Sequence, residues 1–400
     1  MATIAVLGTL DSKGEEHAFL AGCIRARGHE VLLIDVGSGA PPSIGPDISR
    51  QEIAAAAGLD LAGLVARRDR GECVTAMSAA APVLVSRLVA EGRIQAIISA
   101  GGGGGTAIGT AVMRALPLGF PKLMVTTLAS GNTAAYVGTS DLVMMPSIVD
   151  VAGLNSVSRG VFSRAAGAIC GMVEAPAEAA RGKPLVVASM FGNTTDCVNE
   201  AKRIVEEAGY EVLVFHATGT GGRAMEALIG SGMVAGVLDL TTTEWADELA
   251  GGILSAGPAR LDAAGKAGIP AVIAPGCLDM INFGERPTVP ERFKERVIYP
   301  HNPQVTLVRT SVEESRELGR ILAEKANSYR GPVAIMLPAG GLSVIGEEGG
   351  PFHDPEADAA LFAAVEDACR REVERIPAAI NDPVFAAACA RRLLAWMTGA

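Results

Sequence analysis

Residues 4–7 read Ile-Ala-Val-Leu, and after a polar loop and an Ala-rich segment residues 28–33 read Gly-His-Glu-Val-Leu-Leu. The same succession recurs in the second half of the chain, where residues 185–188 read Leu-Val-Val-Ala and residues 209–214 read Gly-Tyr-Glu-Val-Leu-Val. In both copies the two runs start the same number of residues apart. Short β-branched runs that alternate with segments of helical period are typical of βαβ units. The repeat therefore predicts two similar parallel sheets in tandem.

Further apolar runs of strand length extend this pattern. They predict strands at residues 31–35, 96–99, 122–126, 211–215, 234–238, 271–274, 305–309 and 333–337. Residues 121–125 are matched by residues 270–274. We therefore predict an α/β fold of two tandem Rossmann-like, doubly wound domains with mainly parallel sheets, residues 1–180 and 184–400, with a cleft between them. The joining segment is predicted near residues 174–184, and the C-terminal helices at residues 354–375 and 381–397.

Composition limits the class of protein. The chain has 400 residues, 49% of them apolar, and a formal net charge of −10. This length suits about two domains, and the apolar fraction excludes a disordered chain. Basic residues stand singly or in pairs, which argues against nucleic acid or a membrane surface as a partner. Seven cysteines without a CxxC pair, no leader segment and no apolar run of membrane-spanning length predict a soluble cytoplasmic protein.

A glycine run is the strongest local signal for binding. It stands between a predicted strand and a predicted helix and consists of Gly101, Gly102, Gly103, Gly104 and Gly105, followed by Thr106. Such a turn brings backbone N–H groups and the positive end of a helix to one place, which suits a phosphate. Thr106 would cap the helix or donate to the phosphate. A hinge or tight turn explains the same residues. The lysine of a Walker A loop is missing.

Other loops that follow strands in the first half carry polar residues. Thr9, Asp11 and Lys13 follow the first strand and would suit a phosphate with bound Mg²⁺, although a capped helix-opening turn explains them equally well. Asp35, at the end of the second strand, stands where such folds often hold a ribose diol, and it is also an ordinary turn residue. Small polar residues after the fourth strand and at a later helix start would add contacts to the same pocket: Ser130, Gly131, Thr133 and Asn155.

The second half offers a different set of candidates. His301 would act as a general acid or base, with Asp279 or Glu244 as its partner and Arg309 holding a carboxylate or phosphate. Loops that follow neighbouring parallel strands meet at one sheet edge, so we expect these four residues to share a site. A structural histidine between two prolines is the alternative. Cys277 is a further candidate nucleophile, and residues 337–343 form a weaker glycine turn. No cluster of metal ligands is visible.

Nine short segments taken together resemble the Tm-1-like ATP-binding family of bacterial and plant proteins. They run in order along the chain: GTLDSKG (8–14), GGGGGT (101–106), LPLGFPK (116–122), ASG (129–131), DVAGLN (150–155), MFGNTT (190–195), DLTTTE (239–244), HNP (301–303) and RT (309–310). The resemblance implies two Rossmann-like domains, a homodimer, and ATP with Mg²⁺ in the first domain. It implies no particular reaction.

Three kinds of function are consistent with these observations. The first is an ATP-dependent transferase or hydrolase that holds a small acidic or phosphorylated metabolite in its second domain. The second is a regulatory or interaction module in which ATP only sets conformation. The third is an ATP-independent hydrolase, lyase or isomerase of sugar acids, whose glycine turn binds a phosphate of the substrate.

Overall fold

The computed structural model describes residues 1–175 and 182–398. The chain divides into two compact units that meet in the sequence at residues 179 and 180, called here the N-terminal unit and the C-terminal unit. The boundary predicted at residue 180 and most of the predicted joining segment fall on residues 176–181, outside the described residues.

The N-terminal unit alternates strands and helices. In chain order its elements are β1 (Thr3–Gly8), α1 (Gly14–Arg25), β2 (Glu30–Asp35), α2 (Arg50–Ala57), α3 (Leu61–Arg67), α4 (Arg70–Ala90), β3 (Ala96–Gly101), α5 (Gly103–Arg114), β4 (Lys122–Thr126), α6 (Ala134–Val137), β5 (Val143–Pro146) and α7 (Ser156–Glu174). The strands form one parallel sheet in the order β2-β1-β3-β4-β5. The direction of winding changes between β1 and β3, and in such sheets ligands bind at that switch point, beyond the carboxyl ends of the strands.

Both faces of this sheet are buried, as its continuous apolar strands require. Along β1, Ile4 and Val6 belong to the core that includes α1 and α7, whereas Ala5 and Leu7 belong to the core that includes α4 and α5. Successive side chains of a strand point to opposite faces, so the sheet is covered by helices on both sides. Among the described helices, α4 alone is long and apolar enough to cross a membrane. The core helix of a soluble protein meets the same criterion, so this property alone does not indicate a membrane span. Its residue Met77 is buried in the core.

The C-terminal unit repeats the pattern and adds an insertion. Its elements are β6 (Leu185–Met190), α8 (Thr195–Glu207), β7 (Glu211–His216), α9 (Thr220–Gly230), β8 (Val234–Thr241), α10 (Glu244–Ala250), α11 (Ala263–Ala267), β9 (Ala271–Gly276), β10 (Met280–Phe283), β11 (Ile298–Asn302), β12 (Val305–Arg309), α12 (Val312–Asn327), β13 (Val333–Pro338), α13 (Pro355–Ala368), β14 (Glu372–Ile376) and α14 (Pro383–Thr398). The parallel sheet has the order β14-β13-β9-β8-β6-β7, and β10-β12-β11 form a separate antiparallel sheet.

The internal repeat is confirmed in detail. The two sheets share the order of their first four strands, and the turns before β2 and β7 both place a glycine in the left-handed region, with φ of 85° at Gly28 and 98° at Gly209. In each unit the carbonyl oxygen of the proline before the fourth strand accepts a hydrogen bond of 3.0 Å from the third strand. Ile97 N donates to Pro121 O in the first unit, and Val237 N donates to Pro270 O in the second. The α/β prediction of two Rossmann-like, mainly parallel sheets is therefore confirmed.

Three predicted elements need correction. The strand at residues 305–309 exists as β12, but it is the central strand of the antiparallel sheet and not part of the parallel one. The helix predicted over residues 354–375 begins as expected, with Asp354 as N-cap and Pro355 at its first position, but it ends at Ala368. Cys369 then takes an extended conformation, and β14 follows as an edge strand paired with β13. The final helix begins at Pro383, two residues later than predicted.

Candidate functional site

The glycine run forms the start of α5 at the switch point. Gly101 ends β3, Gly102 is the extended N-cap residue, and Gly103–Gly105 make the first turn of the helix. No side chain caps this helix, and the first N–H group that finds an acceptor is that of Thr106, which donates to Gly102 O at 2.8 Å. Within the described chain the N–H groups of the three helical glycines are therefore unpaired. Unpaired N–H groups at the positive end of a helix dipole are suited to an anion.

Nothing in the described structure requires a glycine at position 103. Its φ is negative, and a Cβ placed on it would meet nothing within 4 Å in the described structure. Glycine in a helix costs about 1 kcal/mol relative to alanine. Close approach of a ligand to the backbone at this position would give the glycine a purpose.

Thr106 takes a different role from the predicted one. Its side chain is fully buried, and its hydroxyl lies 2.6 Å from the hydroxyl of Thr126 at the end of β4. The bond joins α5 to the sheet. This hydroxyl therefore neither caps the helix nor faces a ligand.

Arg70 is a candidate that the sequence analysis missed. At the first position of α4, its terminal Nη2 lies 3.9 Å from the place of a Cβ on Gly104. Its charge has no ion-pair partner in the part of the chain that is described, whereas the neighbouring Arg67 is paired with Glu72. Arg70 therefore brings a free guanidinium to the glycine turn. No pattern in the sequence places the start of α4 beside that turn.

The loop after β1 lies next to the glycine turn, because β1 and β3 are adjacent and Leu7 is paired with Ser99. The carbonyl of Thr9 accepts the N–H groups of Ser12 at 3.1 Å and Lys13 at 2.8 Å, so those two donors are used within the loop. Lys13 is half-buried at the start of α1 and has no ion-pair partner among the residues described. Its ammonium group remains a candidate for binding an anion.

Asp11 and Asp35 hold two loops together. Asp11 accepts the N–H of Gly39 at 2.7 Å, and Asp35, which is 1% exposed, accepts those of Leu10 at 3.1 Å and Gly37 at 2.9 Å. The mostly buried guanidinium of Arg50 lies 3.8 Å from each carboxylate. Asp35 is therefore an internal residue and does not present a carboxylate to a ribose.

The same contacts bear on the implied Mg²⁺ ion. Among the described residues no group of three or more His, Cys, Asp or Glu side chains is placed to hold a metal. Asp11, the carboxylate in the loop after β1, already binds Gly39 and faces Arg50. The described residues therefore offer no cage for the ion, and an Mg²⁺ that accompanies a nucleotide would be held mainly by phosphate oxygens and water.

The remaining candidates of this unit differ in exposure. Ser130 and Gly131 are exposed and Thr133 is half-buried in the loop after β4. Thr127 of this loop lies nearest to the glycine turn, with its hydroxyl 3.8 Å from the place of a Cβ on Gly102. Asn155 caps α7, because its side chain accepts the N–H groups of the second and third helix residues at 3.0 and 2.9 Å. Its amide oxygen is thus occupied.

In the C-terminal unit Glu244 is an internal residue. It is 1% exposed, and one of its oxygens accepts the N–H groups of Gly219 at 2.6 Å and Gly222 at 3.1 Å at the start of α9. The other oxygen is 2.6 Å from the buried guanidinium of Arg260, which also binds Asp239. The carboxylate of Glu244 thus occupies a helix N-terminus where an external anion would otherwise bind.

Asp279 and Arg309 are also buried. Asp279 accepts the hydroxyl of Ser343 at 2.6 Å, and burial raises the pKa of its carboxyl group although the Arg309 charge acts in the opposite direction. Arg309 donates to Asp358 at 2.6 Å and to Phe352 O at 2.8 Å. The pair Arg309–Asp358 fixes α13 to β12, and the bond to Phe352 O fixes the segment before α13 to the same strand.

His301 stands apart from this buried group. It is exposed on β11, an outer strand of the antiparallel sheet, and its imidazole has no hydrogen-bond partner among the described residues. The structure therefore does not bring His301, Glu244, Asp279 and Arg309 into one site. Burial also raises the pKa of the Cys277 thiol well above its ordinary value, which makes it a poor nucleophile.

A pocket of about 320 Å³ lies at the carboxyl end of β13. Its polar, charged and aromatic lining residues are Glu348, His353, Asp358, Phe362 and Arg375. Burial raises the pKa of Asp358 to about 6. The glycine turn at residues 337–343 was the one sequence signal of this pocket, and its other lining residues follow that turn along the chain, from Gly346 to Arg375.

Comparisons with known proteins identify the family. The model of the "Uncharacterised protein family (UPF0261) N-terminal domain" matches residues 2–178, and that of the corresponding C-terminal domain matches residues 183–397. A UPF0261 protein of Clostridium tetani is 48% identical over 98% of both chains. The ToMV resistance protein Tm-1(GCR237) of Solanum lycopersicum is 43% identical over 79% of this chain, a match that spans 43% of the tomato protein.

Similarity to solved structures is slight. A UDP-N-acetylglucosamine 2-epimerase from Rickettsia bellii is 11% identical, with 68% of this chain and 78% of that chain covered and a TM-score of 0.22. A score of this size supports no argument about function. The sequence relatives confirm the resemblance to the Tm-1-like family, and the chain belongs to the UPF0261 family.

Proposed function

We propose that the N-terminal unit binds ATP through its phosphates at the glycine turn. The observation that carries the proposal is the uncapped start of α5, where three glycine N–H groups have no acceptor in the described chain. Arg70 adds a free guanidinium beside the turn, and Lys13 stands in the neighbouring loop at the switch point. A polyphosphate suits this arrangement, because several separate donors can each bind a different phosphate oxygen.

We further propose that the protein is an enzyme, an ATP-dependent transferase or hydrolase of a small acidic or phosphorylated metabolite. The pocket at the end of β13 is the proposed place for the metabolite in the C-terminal unit. Its 320 Å³ lies at the lower end of the range for small-molecule sites, and its lining offers the guanidinium of Arg375 and the imidazole of His353 beside the carboxyl groups of Glu348 and Asp358. Mg²⁺ would enter with the nucleotide, held mainly by phosphate oxygens.

Calorimetric titration of the whole protein with ATP, ADP, AMP and inorganic phosphate, each with Mg²⁺, tests the binding step. We expect affinity to rise with the number of phosphates. No binding of any of the four would overturn the proposal. Incubation with ATP and a panel of sugar acids then separates the three kinds of function. Formation of ADP or of phosphorylated product indicates the enzyme, binding without turnover indicates the regulatory module, and turnover without ATP indicates the third class.

Two further proposals concern the state of the protein in the cell. A homodimer is proposed from the family resemblance and from the preference of oligomers for a symmetric pair. A reducing cytoplasm is proposed from the cysteines, because all seven are free thiols and five of them are buried. Sedimentation equilibrium at micromolar concentration tests the dimer.

A further inference from the structure

Ile148 combines two properties that are rarely found in one residue. Its φ is 66°, in the left-handed region where a β-branched residue is strained, and its side chain is 77% exposed. The turn around it is firmly held, since Ser147 N donates to Thr126 O at 3.0 Å and the Ser147 hydroxyl donates to Val149 O at 2.6 Å. The fold thus maintains an apolar side chain in solvent at a cost in backbone energy. Such an outlier points to a function at that position.

The strand register brings the turn that contains Ile148 to the same edge of the sheet as the glycine turn. Gly101 is paired with Thr126, and Thr126 with Pro146, so the carboxyl ends of β3, β4 and β5 are aligned. Ile148 comes two residues after Pro146 at the end of β5, just as Gly103 comes two residues after Gly101 at the end of β3. Two strand spacings, about 10 Å, separate β3 from β5. A ligand that contacts both loops must extend along this edge of the sheet.

We propose that Ile148 is the apolar contact for the base of the nucleotide whose phosphates bind at the glycine turn. The inference rests on the proposed function and adds to it the part of the ligand that is not phosphate. An inorganic polyphosphate has no apolar face to place on an isoleucine. A nucleoside triphosphate carries a flat base, joined to its phosphates through a sugar, and burial of Ile148 against that base removes apolar surface from water. Ile148 therefore determines the preference for a nucleotide over an inorganic polyphosphate.

The test measures the affinities of the whole protein for ATP and for inorganic tripolyphosphate by calorimetry, each with Mg²⁺. Ile148→Asn removes the apolar side chain, and Asn adopts the left-handed region readily, so the turn is retained and its strain reduced. We expect about a tenfold loss of ATP affinity, unchanged tripolyphosphate affinity and an equal or higher Tm. Val83→Asn is the matched control: Val83 is 45% exposed on α4, about 20 Å along that helix from Arg70, and its loss should change neither affinity.

The outcomes separate this inference from the proposed function. If the unaltered protein binds neither ligand, the proposed function fails and the inference fails with it. If it binds both equally, or if Ile148→Asn weakens both equally, only the inference fails. A variant that keeps its ATP affinity but changes its sedimentation shows that Ile148 contacts another protein chain, which also overturns the inference. Ile148→Gly provides a second variant if the asparagine form does not fold.

Discussion

The imidazole of His17 occupies the space that a side chain on Gly8 would fill, because a Cβ on Gly8 would lie well under 3.0 Å from three of the ring atoms. The ring is fully buried, and its Nδ1 donates to Lys13 O at 2.6 Å. His17 thus fixes the end of β1, the following loop and the start of α1 relative to one another. That loop flanks the switch point, so the pair sets the position of Lys13 at the proposed phosphate site.

Gly8→Ala should therefore destabilise the N-terminal unit. The added methyl group meets a buried ring that is bonded to the backbone and cannot move away, and overpacking of this kind costs about 1–3 kcal/mol. Urea unfolding followed by far-UV circular dichroism measures the change. Gly22→Ala is the control, since Gly22 is exposed in α1 with nothing within 4 Å of a Cβ, and it should gain up to about 1 kcal/mol. Equal effects of the two substitutions would contradict the assignment.

His17 also predicts acid sensitivity of this unit. Burial lowers the pKa of His17 below its ordinary value of 6.5. The unfolded chain takes up a proton near pH 6.5 whereas the folded chain does not, so the free energy of unfolding falls as the pH drops below that value. Hydrogen exchange of β1 peptides at about pH 7.5 and 5.5, corrected for intrinsic rates, should show protection lost in acid. The His17→Gln variant should lose less protection in acid than the natural chain. An equally large loss in the variant would show that His17 does not cause the acid sensitivity.

The strands with continuous apolar runs were predictable, including the edge strands β2 and β7, whereas the edge strands β5 and β14 were not. Strands that are buried on both faces of a parallel sheet, such as β1 and β6, are continuous apolar runs. An edge strand has only one neighbour in the sheet and can therefore be short or polar, as β5 and β14 are. β14 reads Glu-Val-Glu-Arg-Ile and exposes three of its five residues, so it resembles the end of the preceding helix. β5 is only four residues long and half-exposed.

For the candidate site, the sequence predicted the backbone conformation of the glycine turn but not the side chains around it. A glycine run between a strand and a helix predicts an N-terminal helix turn with free N–H groups, and that turn exists at α5. The direction of a side chain is not given by its place in a loop. Thr106 follows β3 and Asp35 ends β2 as expected, yet both side chains turn inward and bond to their own chain. Arg70 reaches the turn from a helix that precedes β3, a tertiary contact without a local sequence signal.

Gly103→Val should abolish ATP binding and leave the fold intact. The position is helical and faces open space in the described structure, so valine fits the protein but covers the N–H groups that bind phosphate. Calorimetry should show at least a tenfold loss of affinity, and the Tm should change by no more than a few degrees. Unchanged affinity with an intact fold would show that the turn is structural.

Arg70→Ala should weaken ATP binding by about tenfold, because one charged hydrogen-bond donor at the turn is lost. Since Arg70 is exposed, its contribution is screened, and the difference between variant and natural chain should shrink as salt is raised. Arg87→Ala is the control, because Arg87 is exposed in the last turn of the same helix, away from the glycine turn. A similar loss for both variants would mean that net charge, not the position of Arg70, is responsible.

Arg309→Met should destabilise the C-terminal unit strongly, whereas His301→Ala should not. Removal of the guanidinium leaves the carboxylate of Asp358 buried without its partner, a change that costs about 3–5 kcal/mol. His301 is exposed on an outer strand, so its loss should alter the free energy of unfolding by at most about 0.5 kcal/mol. Both tryptophans, Trp245 and Trp396, lie in this unit, so urea unfolding followed by tryptophan fluorescence reports on it.

The double variant Arg309→Met with Asp358→Leu makes the test independent of whether the single variant folds. Removing both charges takes away the cost of an unpaired buried carboxylate, so most of the lost stability should return. A double variant no more stable than Arg309→Met alone would show that Arg309 acts through its bond to Phe352 O instead. If His301→Ala were the more damaging of the two single substitutions, the structural roles assigned to these residues would have to be exchanged.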